Sequence, residues 1–542
     1  MRRPLILGAM TALALAGSSL QLATAAGPSA RQDQRHRDQI TNLVVIYQEN
    51  HSFDNIFGRW GRVGGERVDG TSRATPQKRT QVAQDGTAYG CLKQNDVNLT
   101  SPPLDGWCTD NHTNPPFSSN FANGPWRIDS FINADDTTCP APGQQAPNGV
   151  LKGTGLPGGC TRDLVHRFYQ EQYQLNDGRQ NRYVTGSDAI GLTMGTYDTR
   201  NLPIYKYLHS RRAPHYVVAD RFFQAAFGGS FLNHQYLIAA RAPIDTNPGA
   251  GTAPTRNSVV DTNGMPTTYP LYTPTRSDVV DGQLTQKCAD GATNDVARAC
   301  GNFAVNTVQP SNPPFGGGAK IPLIDDSKNP NIGDRMSAAG VSWNWYAGGW
   351  NRVLADPASA PLFQFHHQPF NYFANYAPGK PGRVHLRDET EFFAAARRGR
   401  LPTVSFVKPY GAENEHPGYA SEPDGSDHLV KLIRAVQSGP QARRTLIVVT
   451  YDEFGGQWDH VAPPGQGSST SGVHDAFGPG TRIPALVISR AFRRSGVDHT
   501  VYDTTSIMAS IERALGLAPV DTRDAQVADL SPALRVGGLR TR

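Results

Sequence analysis

The sequence predicts an α/β protein with a mainly parallel central sheet flanked by helices. Short β-branched and aromatic runs alternate along the chain with segments of helical periodicity, which is typical of this fold class. Several of the short runs are apolar without interruption, as expected of strands covered on both faces. The predicted strands are residues 42–47, 215–220, 341–346, 403–407, 445–451 and 483–489, and the clearest predicted helices are residues 163–175, 427–437 and 504–515.

Composition indicates a globular protein with long loops. The chain has 542 residues, of which 38% are hydrophobic, with 55 Gly and 41 Pro. Its formal net charge is +5, and the Lys and Arg residues are scattered, so nothing in the sequence indicates a nucleic-acid partner.

The first residues predict export. Arg2 and Arg3 precede the apolar run PLILGAMTALALAG, and ATA at 23–25 offers a small-residue cleavage site, so we interpret residues 1–25 as a secretory signal peptide. The arginine pair leaves twin-arginine export open as an alternative. No later run is long and apolar enough to predict a membrane span. We therefore expect the mature protein in the periplasm or outside the cell, without stable membrane insertion.

Two stretches interrupt the alternation of strands and helices. Residues 60–160 and 243–320 are rich in loop-forming residues, and we interpret both as insertions in a single domain that covers residues 26–542. The six cysteines, all in these stretches, indicate structural disulfides in an oxidising compartment. Cys288 and Cys300 are expected to pair, and neighbour pairing is the simplest arrangement of the rest: Cys91 with Cys108 and Cys139 with Cys160.

Acidic and amide side chains follow two of the predicted core strands. Glu49 and Asn50 follow the first strand, and Asp452 and Glu453 follow the strand at 445–451. Ligands of parallel α/β sheets bind beyond the carboxyl ends of the strands. Two strands that both deliver oxygen atoms to this edge indicate a divalent-metal site. Helix capping by these residues is the alternative for either motif alone, and the occurrence of both motifs together favours the metal.

The segment FFQAAFGGSFLNHQYLIAA, residues 222–240, contains a candidate nucleophile. Gly228 and Gly229 permit a sharp turn, after which Ser230 begins an apolar helical run. Helix N–H groups at such a position can hold a phosphoryl oxygen, and metal coordination would activate the hydroxyl. Taken alone, Ser230 also fits a plain helix cap. The segment lacks the GxSxG pattern, which argues against a Ser-His-Asp esterase.

Four histidines in or near loop segments could stabilise a phosphate or protonate a leaving oxygen. One lies in the predicted helix 163–175, two form a doublet between aromatic residues, and one follows a pair of acidic residues. They are His166, His366, His367 and His416. Each of them alone is more often a packed or surface residue.

Taken together, these segments resemble the bacterial phosphoesterase family that contains exported acid phosphatases and phospholipases C, with an alkaline-phosphatase-like fold. The motifs that carry the resemblance are ENHSFDNIFG (49–58), AFGGSFLNH (226–234), FHHQPFNYF (365–373), NEHPGYA (414–420) and YDEFGGQWDHVAPP (451–464). They run through nearly the whole mature chain, and the first and last are highly specific.

The resemblance implies a serine nucleophile, a phosphoseryl intermediate and one divalent metal. The implied metal ligands are Glu49, Asn50, Ser230, Asp452 and Glu453. Around the phosphate the resemblance implies His166, His366, His367 and His416, with His416 or His166 as the proton donor. Asn233 would bind the phosphate or only cap, and Asp459 and His460 would brace the turn. Ca, Mg, Mn, Zn and Fe all remain possible as the metal.

Within the family, AFGGSFLNH and FHHQPFNYFANYAPG look like the acid phosphatase branch, so phosphate monoesters are the expected substrates. Phospholipase C, acting on phospholipid diesters with the same site, is the alternative. That branch usually has Thr-Pro-Asn-Arg at the nucleophile, and this chain departs from it. A non-enzymatic exported calcium-binding protein is a third possibility, but it leaves the histidine doublet and the Gly-Gly-Ser turn unexplained.

Overall fold

The computed structural model describes residues 40–93, 106–130, 163–249, 256–288, 298–467 and 469–539. The predicted signal peptide and the predicted Cys139–Cys160 pair lie outside these residues. An eight-stranded sheet forms the centre of the described part. In chain order its strands are β1 Asn42–Gln48, β2 His215–Ala219, β3 Trp343–Ala347, β4 Leu386–Asp388, β5 Val404–Lys408, β6 Thr445–Tyr451, β7 Ala485–Ser489 and β8 Gly496–Asp498.

The sheet is parallel except at one strand. The spatial order is β4-β3-β5-β1-β6-β7-β2-β8, and only the two pairs that involve β7 are antiparallel. The chain leaves β6 at the carboxyl edge of the sheet and enters β7 from the same edge. Because no crossover connection returns the chain to the opposite edge, β7 runs antiparallel to β6. The strands β1, β5 and β6 at the centre are almost entirely buried, as expected of parallel strands covered on both faces. The predicted fold class is therefore confirmed.

Twelve α-helices accompany the sheet in the described residues. They are α1 Phe53–Ile56, α2 Pro76–Arg79, α3 Phe168–Leu175, α4 Pro203–Leu208, α5 Ser230–Ala239, α6 Ile332–Ala338, α7 Trp350–Ala355, α8 Glu389–Arg398, α9 Glu422–Ser438, α10 Thr505–Leu515, α11 Thr522–Gln526 and α12 Ser531–Gly537. None of these helices combines the length and the apolarity that crossing a membrane requires.

All six predicted strands occur, with bounds that differ from the predictions by at most two residues. The strands β4 and β8 lie at the two edges of the sheet and were not predicted. Each has three residues, which is too short for a periodic pattern to stand out.

Helix α3 begins later than predicted, and the prediction that His166 lies on this helix was wrong. Arg167 is the N-cap and has an extended backbone. Its N–H donates to Gln170 Oε1 at 3.0 Å, which starts the helix there. The preceding segment makes a long-range contact, since the N–H of Val165 donates to Asp188 Oδ1 at 3.0 Å. His166 therefore lies in a non-helical segment before α3 and not on a helix face.

Two of the predicted disulfides are confirmed, Cys91–Cys108 and Cys288–Cys300. The first joins two short antiparallel ladders, in which Cys91–Leu92 pairs with Phe121–Ala122 and Cys108–Asp110 pairs with Phe117–Ser119. Both bonds lie in the stretches interpreted as insertions. The assignment of those stretches to a single domain stays a prediction.

Candidate active site

The carboxyl edge of the sheet brings the two acidic strand ends together. β1 and β6 are neighbouring parallel strands whose last residues are paired, so the residues that follow them emerge side by side. Glu49 and Asn50 follow β1, Asp452 and Glu453 follow β6, and all four side chains are fully buried. The N–H of Asn50 donates to Asp452 Oδ1 at 3.0 Å and links the two strand ends. Four of the five predicted metal ligands are therefore gathered by the sheet itself.

The backbone at this edge adopts conformations that few residues tolerate. Asn50 has a φ of 58°, and Gly455 has a φ of 62°. A Cβ at position 455 would lie 2.3 Å from the carbonyl oxygen of Asn50, so the turn requires glycine. The N–H of Gly455 donates to Glu453 Oε2 at 2.6 Å. The glycine that follows the DEF segment thus helps to orient a predicted metal ligand.

Ser230 is the first residue of α5, and its hydroxyl faces these oxygen atoms. Ser230 Oγ lies 3.3 Å from Asn50 Oδ1, 3.5 Å from Glu49 Oε2 and 3.5 Å from Glu453 Oε1. The cap position of the helix belongs to Gly229, and no side chain caps it by a hydrogen bond. The alternative interpretation of Ser230 as a plain cap therefore does not describe the structure.

These five side chains fit a bound cation. The cluster, called the site cluster below, consists of Glu49, Asn50, Ser230, Asp452 and Glu453. The Ser230 hydroxyl has one proton to donate, but three acceptor oxygens face it. Asp452 Oδ2 is buried without a hydrogen-bond partner in the described residues. Burial, and then the charge of Glu49, raise the pKa of Asp452 to about 7, and burial and Asp452 raise the pKa of Glu453. Buried oxygen atoms that repel one another when ionised suit a hard divalent cation.

Lys408 is a site residue that the sequence analysis missed. It is the last residue of β5 and is fully buried. Its Nζ lies 2.6 Å from Glu49 Oε1 and 3.3 Å from the carbonyl oxygen of Gln48. Burial alone would raise the pKa of Glu49, but Lys408 and then His367 bring that pKa well below its usual value. The signal was present, because this lysine directly follows the strand predicted at residues 403–407, as the acidic residues follow theirs.

The predicted histidines all face the site cluster. His367 Nε2 lies 2.7 Å from Glu49 Oε1, and His366 Nε2 lies 4.0 Å from the same oxygen. His416 Nε2 lies 3.7 Å from Glu49 Oε2. His166 Nε2 lies 3.6 Å from Glu453 Oε1. Burial is the main cause that lowers the pKa of each of these four imidazoles.

Two of these imidazoles are anchored to backbone carbonyl groups. His166 Nδ1 lies 2.5 Å from the carbonyl oxygen of Leu164, and His416 Nδ1 lies 2.7 Å from that of Pro417. Because Nδ1 donates its proton to the backbone, Nε2 is the nitrogen left to act in the site. The His166 side chain is 19% exposed and that of His416 is 6% exposed, so His166 lies nearer to solvent.

Asn233, the predicted substrate-binding residue, lies behind the turn at residues 226–229, which precedes Ser230 and is called the nucleophile turn below. Its side chain is fully buried. Its Oδ1 accepts from the N–H of Ala226 at 3.0 Å, and its Nδ2 donates to the carbonyl groups of Ala226, Gly228 and Gly229 at 3.1–3.3 Å. The amide is thus occupied by the backbone of the turn, and contact with a substrate stays a prediction.

His234 is a second residue to which the sequence analysis assigned no role. It follows Ser230 by four residues on α5, which places both on one side of the helix. Its Nδ1 lies 2.7 Å from the carbonyl oxygen of Ser230 and 3.7 Å from Asp452 Oδ2. The ring packs 5.4 Å from that of His366, measured between centroids. His234 therefore connects the nucleophile helix, one acidic strand end and the histidine doublet.

A second buried cluster contains later residues of the motifs at 49–58 and 451–464, together with Asp69 and Arg482. His460 Nδ1 lies 2.5 Å from Asp54 Oδ2, and its Nε2 lies 3.3 Å from Asp69 Oδ1. Arg482 donates to Asp459 Oδ1 at 3.1 Å and to Asp54 Oδ1 at 3.2 Å. We call these five residues the brace cluster. Because the guanidinium is a permanent cation among the carboxylates, this cluster does not call for a metal.

The site cluster lies within a region that matches a known protein family. The sequence model of the phosphoesterase family matches residues 40–518. The chain belongs to the phosphoesterase family. Membership confirms the predicted family and the general activity predicted with it, the hydrolysis of phosphoric esters.

The chain is also similar to named phospholipases C and to solved structures. The chain is 23% identical to "Phospholipase C B" of Mycobacterium tuberculosis over 96% of this chain and 81% of that protein, and 24% identical to "Phospholipase C A" of the same organism over 92% and 78%. A protein in the alkaline phosphatase superfamily from Vibrio parahaemolyticus matches with 10% identity and a TM-score of 0.23, over 37% of this chain and 52% of that one. A score this low does not establish a shared fold.

Proposed function

We propose that this phosphoesterase is an exported, metal-dependent phosphomonoesterase with Ser230 as its nucleophile. The observation that carries the proposal is the position of Ser230 Oγ, within 3.5 Å of Glu49, Asn50 and Glu453 at a helix N-terminus. A nucleophile and a set of cation ligands thus share one buried cluster. Export is supported by the leader-like first residues and by the two disulfides.

A divalent cation held by the site cluster would lower the pKa of the Ser230 hydroxyl and offset the charge of the phosphate. The Ser230 hydroxyl gives its proton to solvent, its Oγ attacks phosphorus, and the bond from phosphorus to the leaving oxygen breaks. The N–H groups in the first turn of α5 donate to the non-bridging oxygens. Water then attacks the phosphoserine, which releases inorganic phosphate and restores the serine. Ser230 Oγ regains a proton from solvent when phosphate is released.

His166 is the better placed of the two candidate proton donors. The leaving oxygen needs a proton as its bond to phosphorus breaks, and the leaving group must reach solvent. His166 is more exposed than His416, and its Nδ1 is anchored so that Nε2 faces the site. The negative charge of a bound phosphate favours the imidazolium form of His166 in spite of its lowered pKa. After that imidazolium has given its Nε2 proton to the leaving oxygen, the neutral imidazole accepts a proton from the attacking water.

The enclosure of the site supports a monoester substrate. The side chains of His366, His367 and His416 are between 1% and 9% exposed. A diester carries a second substituent on phosphorus, which would have to pass among these largely buried imidazoles, whereas a monoester has no such substituent. Phospholipase C activity is the second candidate, favoured by the two relatives of that name that match along most of the chain.

Hydrolysis of p-nitrophenyl phosphate and of p-nitrophenyl phosphorylcholine by the purified mature chain tests the proposal, with and without chelator. We expect the monoester to be preferred, chelation to stop turnover, and Ser230→Ala to lower kcat by about 10,000-fold while the fold is retained. Preference for the choline diester would support the second candidate. An unchanged rate in Ser230→Ala would rule out the serine mechanism, and no turnover of either substrate would favour a non-enzymatic calcium-binding protein.

A further inference from the structure

Glu171 is a fully buried carboxylate without an ion-pair partner among the described residues. It lies on α3, and both of its oxygens are occupied by hydrogen bonds. Oε1 accepts from the N–H and the hydroxyl of Thr481 at 2.7 and 2.8 Å. Oε2 accepts from the N–H of Gly228 at 2.6 Å and from Gln224 Nε2 at 2.9 Å. One side of this carboxylate thus holds the turn that precedes Ser230.

Gln224 extends this contact to the loop that follows β6. Its Nε2 also donates to the carbonyl groups of Ala226 and Gly228 at 2.7 and 3.1 Å. Its Oε1 accepts from the N–H of Phe454 at 2.9 Å. Phe454 directly follows the proposed ligand Glu453. A single glutamine side chain therefore joins the nucleophile turn to the loop that carries two acidic ligands.

The backbone of the nucleophile turn is closely packed against its neighbours. Gly228 has a φ of 84°, and a Cβ there would lie 2.7 Å from the backbone nitrogen of Phe168. A Cβ at Gly480 would lie 2.6 Å from Glu171 Oε1. The carboxylate is thus packed between the turn and the loop before β7, so a change in its hydrogen bonding must move the backbone.

We propose that Glu171 and Gln224 act as a positioning pair that fixes the distance between Ser230 Oγ and the acidic ligands that follow β6. The inference rests on the proposed serine mechanism and deepens it. Glu171 does not touch the site cluster, so its effect on turnover passes through Gly228 and Gln224. Burial raises the pKa of Glu171 to about 7, although its four hydrogen bonds lower it, because solvent does not reach the carboxylate.

The substitution Glu171→Gln tests the pair with almost no change in shape. A carboxamide has one acceptor oxygen, and its NH₂ group would face N–H donors on one side. Either the Gly228 or the Thr481 contact must therefore break. We expect kcat for p-nitrophenyl phosphate to fall by about 10- to 100-fold with KM within about 3-fold, since a displacement near 1 Å can lower a rate by that amount. The crystal structure of the variant should show Ser230 Oγ displaced from Glu453.

Glu512→Gln is the matched control. Glu512 is 2% exposed on α10 and accepts the N–H of Val520 at 3.0 Å, a contact that involves neither the turn before Ser230 nor the loop that follows β6. If both carboxylates were only structural, each substitution would lower the melting temperature and neither would change kcat. Loss of kcat in Glu171→Gln but not in Glu512→Gln supports the positioning pair. Equal losses, or a kcat of Glu171→Gln within 2-fold of wild type, overturn it.

A second variant decides the question if Glu171→Gln does not fold. Gln224→Met keeps the contact between Glu171 and Gly228 but removes the acceptor of the Phe454 N–H. We expect a lower kcat here as well, and a wild-type kcat would overturn the inference. The outcome stays separate from that of the proposed function, because an active Ser230→Ala variant refutes the serine mechanism whatever the Glu171 variants do.

Discussion

The site cluster and the brace cluster both take residues from the motifs at 49–58 and 451–464, yet they differ in how their charges are balanced. In the brace cluster each carboxylate has a basic partner: Asp459 has Arg482, Asp54 has Arg482 and His460, and Asp69 has His460 and Arg221. In the site cluster Lys408 pairs with Glu49. Asp452 and Glu453 have no lysine or arginine partner among the described residues, and the imidazoles nearest to them have lowered pKa values.

The difference shows why residue type alone does not assign a role. Burying a carboxylate is unfavourable unless a cation or several hydrogen bonds compensate for the lost hydration. The brace cluster contains its own cations, so it stabilises the fold and needs nothing more. The site cluster lacks them at Asp452 and Glu453, so its stable ionised form requires a cation from solution.

Exchanging one carboxylate in each cluster should give opposite results, and this is the largest expected effect. We expect Asp452→Asn to lower kcat/KM for p-nitrophenyl phosphate by about 1,000-fold, or about 4 kcal/mol of transition-state stabilisation. The metal-free variant should unfold at the same or a higher urea concentration than wild type, because a like charge near Glu49 is removed. The matched variant Asp459→Asn should lose stability and keep its turnover. An active Asp452→Asn variant would contradict the assignment of this ligand.

Removing the cation of the brace cluster should affect stability and not chemistry. We expect Arg482→Met to lower the free energy of unfolding by about 3–5 kcal/mol, because the buried Asp459 loses Arg482 and Asp54 keeps only His460 as a basic partner. Urea unfolding measures this change, and kcat per folded molecule should stay within about 3-fold of wild type. A loss of kcat without a loss of stability would mean that the brace cluster belongs to the active site.

The imidazole of the brace cluster predicts a pH dependence of stability. Burial alone would lower the pKa of His460, but Asp54 and then Asp69 raise it from 6.5 to about 9. The protonated form is thus favoured in the folded state, so this contribution is fully present below pH 6.5 and is lost as the pH rises through 9. We expect His460→Gln to be destabilised by about 3 kcal/mol at pH 6 and by much less at pH 9.5. A constant difference between pH 6 and pH 9.5 in urea unfolding would contradict this assignment.

The sequence predicted the fold and the acidic part of the site for one physical reason. Apolar core strands stand out, and in a parallel sheet whatever follows two neighbouring strands must meet at the same edge. The residues that were missed depend on long-range contacts instead. Arg482 balances Asp54, which lies 428 positions away, and the non-helical segment around His166 contacts Asp188, which no local pattern indicates. Lys408 was missed because its strand was predicted to end one residue too early, at residue 407.

Metal content measured by native mass spectrometry tests the difference between the two clusters most directly. The mature chain would be incubated separately with MnCl₂, CaCl₂ and ZnCl₂ after exhaustive chelation, beside Asp452→Asn and His460→Gln. We expect one ion per chain in wild type and in His460→Gln, none in Asp452→Asn, and recovery of turnover only where the ion returns. An ion retained by Asp452→Asn and lost from His460→Gln would place the metal in the brace cluster, and full turnover by the metal-free chain would contradict the need for a cation.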